Sequence, residues 1–401
     1  MELKKIHISD IGKVVTGKTP RTSIVENYGG DIPFLTPSDD LSYKSVPKTG
    51  KTLTEQGLNE VKNCLLPPHS VCVSCIGTDL GKVVMTSEPT ITNQQFNSII
   101  PNRRFDADFV YYLMTLVGKE LNYLSKTSTA VPIINKSSFS NYEVEVPDLE
   151  TQEKIASILS SLDSKIELNR RINDNLEQQA QALFKSWFVD FEPFRGGEFV
   201  DSELGLIPKG WRVVSLGEVT KQITEKVGNR EDVTVLSPIN SGELVLSEEY
   251  FTKQVFSKDL SKYLIVNPLS FAYNPARINI GSIGLNTFDF VGCVSPVYVV
   301  FECEPNYQYF FDFFKRTAMF KDEVALRAIG GVRQSLGYND LSLIKIIYPT
   351  SDVVVEFNNL YLKMKEVMIK NTDQNEKFIS LRDSLLPKLM SGELKINEFN
   401  C

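Results

Sequence analysis

Cys64, His69, Cys72 and Cys75 fall within one short run, CLLPPHSVCVSC. Four nitrogen and sulfur ligands could in principle hold a zinc ion. The segment VCVSC also alternates as a strand does, however, and a strand would turn Cys72 and Cys75 to opposite faces. Small core cysteines are therefore the expectation, and no metal is assigned. The six cysteines are scattered without a secreted disulfide framework. Only two histidines exist, His7 and His69, which leaves little for a histidine-based acid–base or nucleophile relay. There is no P-loop, no G-x-G-x-x-G, and no Asn/Asp-Pro-Pro-aromatic tetrapeptide of an adenine methyltransferase; NPLS and NPAR do not match it. A nuclease-like pattern, Pro147-Asp148 followed by Asp163-Ser164-Lys165, lies partly inside a heptad helix and reads as solvated helix charge. The expectation is a chain with no catalytic residues and no cofactor of its own.

What must position any functional side chains is a tandem repeat. DIPFLTPSDD (31–40) aligns with DVTVLSPINS (232–241), and LPPHSVCVSCIGTDLGKV aligns with VNPLSFAYNPARINIGSI at an offset of 200. EVEVP (143–147) answers IKIIYP (344–349), each just before a long helical segment. The first 150 or so residues of each copy mix short alternating runs, turn residues and a few helices, which predicts an α+β globule. The remainder carries a sustained 4-3 spacing, which predicts a coiled coil. In the first copy it runs Ile155, Leu159, Leu162, Ile166, Asn169, Asn173, Leu176, Ala180, Leu183, Trp187. In the second it runs Val353, Phe357, Leu360, Met364, Val367, Asn371, Gln374, Phe378, Leu381, Leu385. Polar layers at both midpoints, Asn169/Asn173 and Asn371/Gln374, favour antiparallel pairing, in which they meet.

The expected fold class is therefore α+β: two globular α/β domains in tandem repeat, joined by two long helices in an antiparallel coiled coil. The expected boundaries are 1–148 for the first domain and 149–194 for the first helix. A linker at 195–209, a second domain at 210–349, a second helix at 350–392 and a tail at 393–401 follow. Some 40 helical residues would span about 60 Å, giving a rod with a head at each end, suited to reading two separated marks on duplex DNA.

Net charge is −7, and residues 1–150 and 201–350 each carry 15 basic and 17 acidic residues, so DNA contact would need a local basic face. No apolar run approaches a membrane span, and the start MELKKIHISDIGKVV lacks a secretory apolar region, so a cytoplasmic location is expected.

The stretch VPDLETQEKIASILSSLDSKIELNRRINDNLEQQAQALFKSWFVDFEPF, followed by LGLIPKGWRVVSLGEV, resembles the central region of specificity subunits of type I restriction–modification enzymes. The ending SLRDSLLPKLMSGELKI is similar to theirs, as are ISDIGKVVTGKTP and IPFLTPSDD near the start. The resemblance implies two target-recognition domains, each reading half of a bipartite site on double-stranded DNA, with the helices measuring the spacer. It implies two modification subunits that methylate adenine, and restriction subunits that join them. S-adenosylmethionine, ATP and magnesium would then sit on those partners. A related bifunctional methylase–nuclease subunit, or a two-headed protein scaffold without DNA contact, stays open as an alternative.

Bases are read by Arg, Lys, Asn and Gln, with basic and hydroxyl side chains on phosphates. The DNA-binding candidates in the first domain are Thr16, Lys18, Thr19, Arg21, Thr36, Ser38, Asn93, Gln94, Gln95, Lys126, Ser128 and Thr129. In the second they are Lys221, Lys226, Arg230, Asn240, Asn274, Arg277, Asn279, Arg327, Arg333 and Gln334. Loop Asn and Gln residues also close turns, which is the plainer role for any one of them. Phe184, Phe188, Phe191 and Phe194 fall off the expected seam and are the candidates for partner binding; cover by the adjoining domain is the simpler reading.

Overall fold

The computed structural model describes residues 2–77, 79–126, 133–251, 256–327 and 335–394. The chain forms two compact units, Met1–Ile172 with Ile369–Cys401, and Asn173–Met368.

In the first unit, a four-stranded antiparallel sheet runs in the order Gly12–Thr16, Phe96–Pro101, Val71–Ser74, Val83–Met85. The VCVS strand is buried on both faces, which its small and mostly apolar side chains allow. Cys72 packs with Val15, Leu35, Val84 and Phe96, whereas Cys75 joins the core beneath the helix Ala107–Lys126. The two thiols thus enter different cores, and burial pushes the Cys72 thiol up to about 12. A second sheet, Thr52–Leu53, Tyr28–Leu35, Ile91–Thr92, contains one parallel pair. A two-stranded ribbon of Lys4–His7 and Glu143–Val146 completes the unit.

The second unit repeats this plan. Its main sheet runs Thr220–Ile223, Val299–Cys303, Phe271–Tyr273, Ile283–Leu285, in the same order of equivalent strands. A second sheet of Leu244–Leu246, Thr234–Pro238, Gly292–Val294 and Leu264–Val266 again holds one parallel pair, and Arg212–Ser215 pairs with Lys345–Tyr348. The repeat extends to backbone detail. His69 and Leu269 are left-handed at φ 64° and 61°, and Gly81 and Gly281 at 87° and 93°. His69 N–H donates to Thr86 O at 2.7 Å, and Leu269 N–H to Asn286 O at 2.8 Å. A non-glycine residue held left-handed is uncommon, so the same bend at an offset of 200 marks one template used twice.

The stretch expected to be a plain linker holds a hairpin, Phe199–Ser202 paired with Gly205–Pro208. Two long helices, Leu149–Phe188 and Ser351–Ser391, have 40 and 41 residues. Within the first unit they run antiparallel: Asp163 meets Arg382 while Asn169 meets Asn375. Within the second, Asn173 Nδ2 donates to Met368 O at 3.1 Å while Phe184 lies on Phe357, which is also antiparallel.

On the first helix the expected seam residues Ile155, Leu159, Ile166 and Ala180 are buried, but near its end Phe184 and Phe188 are buried and Leu183 and Trp187 only partly so. On the second helix Phe357 keeps the expected seam, whereas Leu360, Val367 and Leu381 are exposed and the other buried residues are Val354, Asn358, Tyr361, Asn375, Leu386 and Leu389. Each helix faces the globular part of its unit as well as the other helix, and the two contacts together select the stripe. Among the described residues, no helix is long and apolar enough to cross a membrane.

Candidate nucleic-acid interface

Asp148 and Asp163 do not converge. Asp148 caps the first long helix, accepting from Thr151 N–H at 3.0 Å and Thr151 Oγ1 at 2.9 Å, and these bonds hold its carboxyl below its ordinary range. Fifteen residues further along a helix is about 22 Å away. There Asp163, 8% exposed, accepts from Tyr112 Oη at 2.5 Å and Arg382 Nη1 at 2.8 Å. Burial works against the Arg382 charge, but the Asp163 and Asp383 carboxylates overcome it and raise its pKa. Lys44 donates to Tyr112 Oη and Ser160 Oγ and pairs with Asp108 at 2.6 Å. The charges lining the adjoining cleft of about 540 Å³ include Lys44, Asp163 and Arg382 of this network, which ties the helix Ala107–Lys126 to the long helices.

The second unit holds a matching device built from other residues. Lys315 is buried, pairs with Asp312 at 2.8 Å and donates to Ile283 O at 3.0 Å. Burial lowers its pKa, with Asp312 opposing. Arg316 spans Asp312 and Glu177, locking the short helix Gln308–Phe314 to the first long helix. These networks were invisible in the sequence because the links that close them, Asp163–Arg382 and Glu177–Arg316, join residues 219 and 139 apart.

Several candidates in the first unit are brought together. Lys18 N–H donates to Thr92 O at 2.9 Å, and Thr19 Oγ1 donates to Gln94 Oε1 at 2.6 Å, joining loops 75 residues apart. Thr16 Oγ1 donates to Asn97 Oδ1 at 2.7 Å beneath them. Lys18, Arg21 and Gln94 are exposed on this patch, and Gln95 is half-buried. Asn93 is buried and closes its own turn, accepting from Gln95 N–H and donating to Gln95 Oε1. Thr36 and Ser38 are likewise engaged in a turn: Asp39 accepts from Thr36 N–H at 2.7 Å, and the two hydroxyls lie 2.7 Å apart. The Lys126 side chain, Ser128 and Thr129 lie outside the described residues.

In the second unit Asn240 lies close to Gly281, at the end of the turn that carries Asn274, Arg277 and Asn279. Gly281 sits so close to Asn240 that a Cβ there would meet Asn240 O at 2.6 Å. Asn274 Oδ1 accepts from Ala276 N–H at 3.0 Å, and the Arg277 side chain is exposed on the loop so formed. Lys221 stands apart on the edge of the main sheet, 3.8 Å from Glu302. Lys226 is exposed at the end of a loop bridging to Leu264. Arg327 is engaged by Glu323 and Leu343 O. Arg333 and Gln334 lie outside the described residues.

Two arginines are held side-on by carboxylates. Arg21 Nε and Nη2 donate to Glu60 Oε1 at 3.0 and 2.8 Å. Arg230 Nε and Nη2 donate to Asp232 Oδ1 and Oδ2 at 3.1 and 3.0 Å. Hydrogen bonds from Arg21 depress the Glu60 carboxyl to about 2, and the Arg230 side chain lowers that of Asp232. Neither carboxylate was among the candidates. Asp232 stands two residues from Arg230 and could have been noticed, whereas Glu60 carries no such signal.

Phe184 and Phe188 are 3% and 7% exposed, packed among Phe310, Phe313 and Phe357 of their own unit. Phe191 and Phe194 lie partly buried, each edge-on to Trp211. The chain itself thus covers the first two rings.

Residues 1–178 match the type I restriction modification DNA specificity domain. The whole chain is similar to the type I restriction enzyme MjaIX specificity subunit of Methanocaldococcus jannaschii, at 29% identity over 99% of this chain and 94% of that one. It is also similar to the HindI specificity subunit of Haemophilus influenzae, at 37% identity over 42% of this chain and 38% of the relative. A crystal structure of a type I restriction–modification S subunit from M. genitalium shares the fold, with a TM-score of 0.52 and 15% identity over 97% of this chain and 96% of that one.

Proposed function

We propose that this chain is a specificity subunit of the type I restriction–modification kind, a non-catalytic component of those systems, as its similarity to such subunits supports. Each unit reads one half of a bipartite site on double-stranded DNA. The two long helices set the spacer between the halves and provide docking for two modification subunits, which methylate adenine. Restriction subunits join that assembly for ATP-dependent cleavage, and S-adenosylmethionine, ATP and magnesium are bound by the partners. The assembly works in the cytoplasm.

The observation that carries this reading is the repeat of one template, down to the paired left-handed residues His69 and Leu269, with different exposed side chains on the two copies. One template with divergent loops is what two half-sites of unlike sequence require. The exposed polar and basic residues Lys18, Arg21 and Gln94 in one unit, and Asn240, Arg277 and Asn279 in the other, supply side chains of the types that read base edges and phosphates. A net acidic chain that binds DNA through such local faces is expected to depend steeply on salt.

The test is duplex retardation by the chain assembled with its modification subunits. A preference for one bipartite sequence and a steep negative salt slope are the expected result. Weak binding indifferent to sequence would overturn the proposal and favour a protein scaffold.

A further inference from the structure

The two clamped arginines lie in the corresponding connection of each unit. Arg21 lies in the connection between strands Gly12–Thr16 and Tyr28–Leu35; Arg230 lies between Thr220–Ile223 and Thr234–Pro238. Their carboxylates come from different places, Glu60 from the helix Glu55–Val61 and Asp232 from the loop itself. Arg21 gives both Nε and Nη2 to the one oxygen Glu60 Oε1, whereas Arg230 meets both oxygens of Asp232, so a carboxylate on the Nε edge is reached by two unrelated local routes.

Both loops are fixed in place. In the first unit, Asn27 Nδ2 donates to Arg21 O at 3.1 Å, Tyr28 Oη donates to Pro20 O at 2.9 Å, and Arg21 N–H donates to Glu60 Oε2 at 3.0 Å. The Glu60 helix is seated against the same loop, since a Cβ on Gly57 would lie 2.2 Å from Asn27 O. In the second unit, Val227 N–H donates to Tyr263 O, Gly228 N–H to Ser261 O, and Arg230 N–H to Val227 O, at 2.9 to 3.1 Å.

A guanidinium has five N–H donors in a rigid fork. The carboxylate takes the Nε edge, which leaves the Nη1/Nη2 edge for a ligand. Side chains of Arg21 and Arg230 remain 72% and 38% exposed, with their carboxylate partners beside them. Exposed ion pairs contribute little to stability, so stability is a weak reason for such a pair in the corresponding connection of both units. For binding, the pair has a clear consequence. A bare arginine attracts any phosphate, whereas one neutralised by a carboxylate loses that general attraction and keeps two aligned donors. Two aligned donors match the O6 and N7 acceptors of guanine in the major groove, and the neighbouring carboxylate can accept from a cytosine amino group.

We infer that Arg21 and Arg230 are guanine-reading residues, one in each half of the site, and that Glu60 and Asp232 are the positioning residues that aim them and suppress their binding to phosphate. The inference rests on the DNA-recognition reading above.

The test uses the full chain assembled with its modification subunits, on duplex libraries randomised in one half-site at a time. Glu60→Gln is expected to reduce preference for guanine at one position of one half-site by roughly 10- to 100-fold. Affinity for unrelated duplex should stay level or rise, because a negative charge has gone. Asp232→Asn should do the same in the other half-site only. Arg21→Lys, which keeps the charge but loses the fork, should lose the same position as Glu60→Gln. Thermal melting of each variant alongside the wild type excludes simple unfolding. Unchanged profiles for Glu60→Gln and Asp232→Asn, or a uniform loss across all sequences, would overturn the inference while leaving DNA recognition standing. A wild-type assembly with no preference in either half would overturn the reading beneath it, and the inference with it.

Discussion

Replacing Phe184 by alanine distinguishes a core ring from a docking ring. Phe184 is 3% exposed and meets Phe188, Phe310, Phe313 and Phe357 at centroid distances of 4.9 to 5.8 Å. Truncating a buried phenylalanine costs about 3–5 kcal/mol, the sum of lost transfer energy and an unfilled cavity. The four ring partners come from the first long helix itself, the short helix Gln308–Phe314 and the second long helix, so local collapse cannot readily close the gap. A loss of about 4 kcal/mol is therefore expected, a large share of a stability of about 5–15 kcal/mol. At about 2–4 °C per kcal/mol for 150–250 residues, the transition of the Asn173–Met368 unit should fall by about 10 °C. Scanning calorimetry with hydrogen exchange over residues 173–368 would record it. A drop under about 2 °C, combined with loss of modification-subunit capture, would show that the ring serves docking and that its burial had been misjudged.

Other perturbations have different signatures. Asp163→Ala removes one of the two carboxylates on the Arg382 guanidinium and the close acceptor of the nearly inaccessible Tyr112 hydroxyl. Because Asp383 still pairs with Arg382, the cost should sit near the low end of a broken buried pair, about 3 kcal/mol; a denaturant midpoint implying under about 1 kcal/mol would contradict the network. Gly281→Ala must accommodate both a φ of +93° and a Cβ 2.6 Å from Asn240 O, whereas Gly205→Ala, at φ +98°, meets nothing within 4 Å. The first should cost clearly more than the second, which should lose only about 1–2 kcal/mol of backbone strain; equal losses in urea titrations would discount the close approach. Glu60 titrates at about 2 when folded, below its ordinary value of 4.5, so its contribution is present above that ordinary value and is lost only as pH falls towards about 2. Half-site preference at the Arg21 position should therefore stay flat from about pH 5 to 8, and a decline already at pH 6 would contradict the clamp.

The repeat was legible because offset matches such as Pro68/Pro268 and Gly81/Gly281 reflect backbone conformations that the template reuses. The long helices were legible from their 4-3 spacing, as was the buried stripe of the first as far as Ala180, but not the stripe that the second would bury. The second helix carries apolar residues on adjacent stripes, and Tyr361 is chosen over Leu360 because Phe313 and Tyr309 stand ready to cover it. Periodicity reports the sum of helix–helix and helix–domain burial, and cannot separate them. For the same reason Phe184 and Phe188, set off the expected seam, prove to be among the most buried residues of the first helix. Residue type alone nominated Thr36, Ser38 and Asn93 for DNA contact, and their short turns with Asp39 and Gln95 needed coordinates to see. The Arg21–Glu60 clamp joins residues 39 apart by way of a capped helix seated on a loop, and no local pattern announces it.

Mapping adenine methylation across the source genome, with and without this gene, would test whether the chain selects a two-part DNA site. The account predicts a bipartite motif, two short specific halves around an unspecified spacer, that vanishes on deletion and returns with the gene. A motif that survives deletion, or a lost motif with a single uninterrupted core, would contradict it.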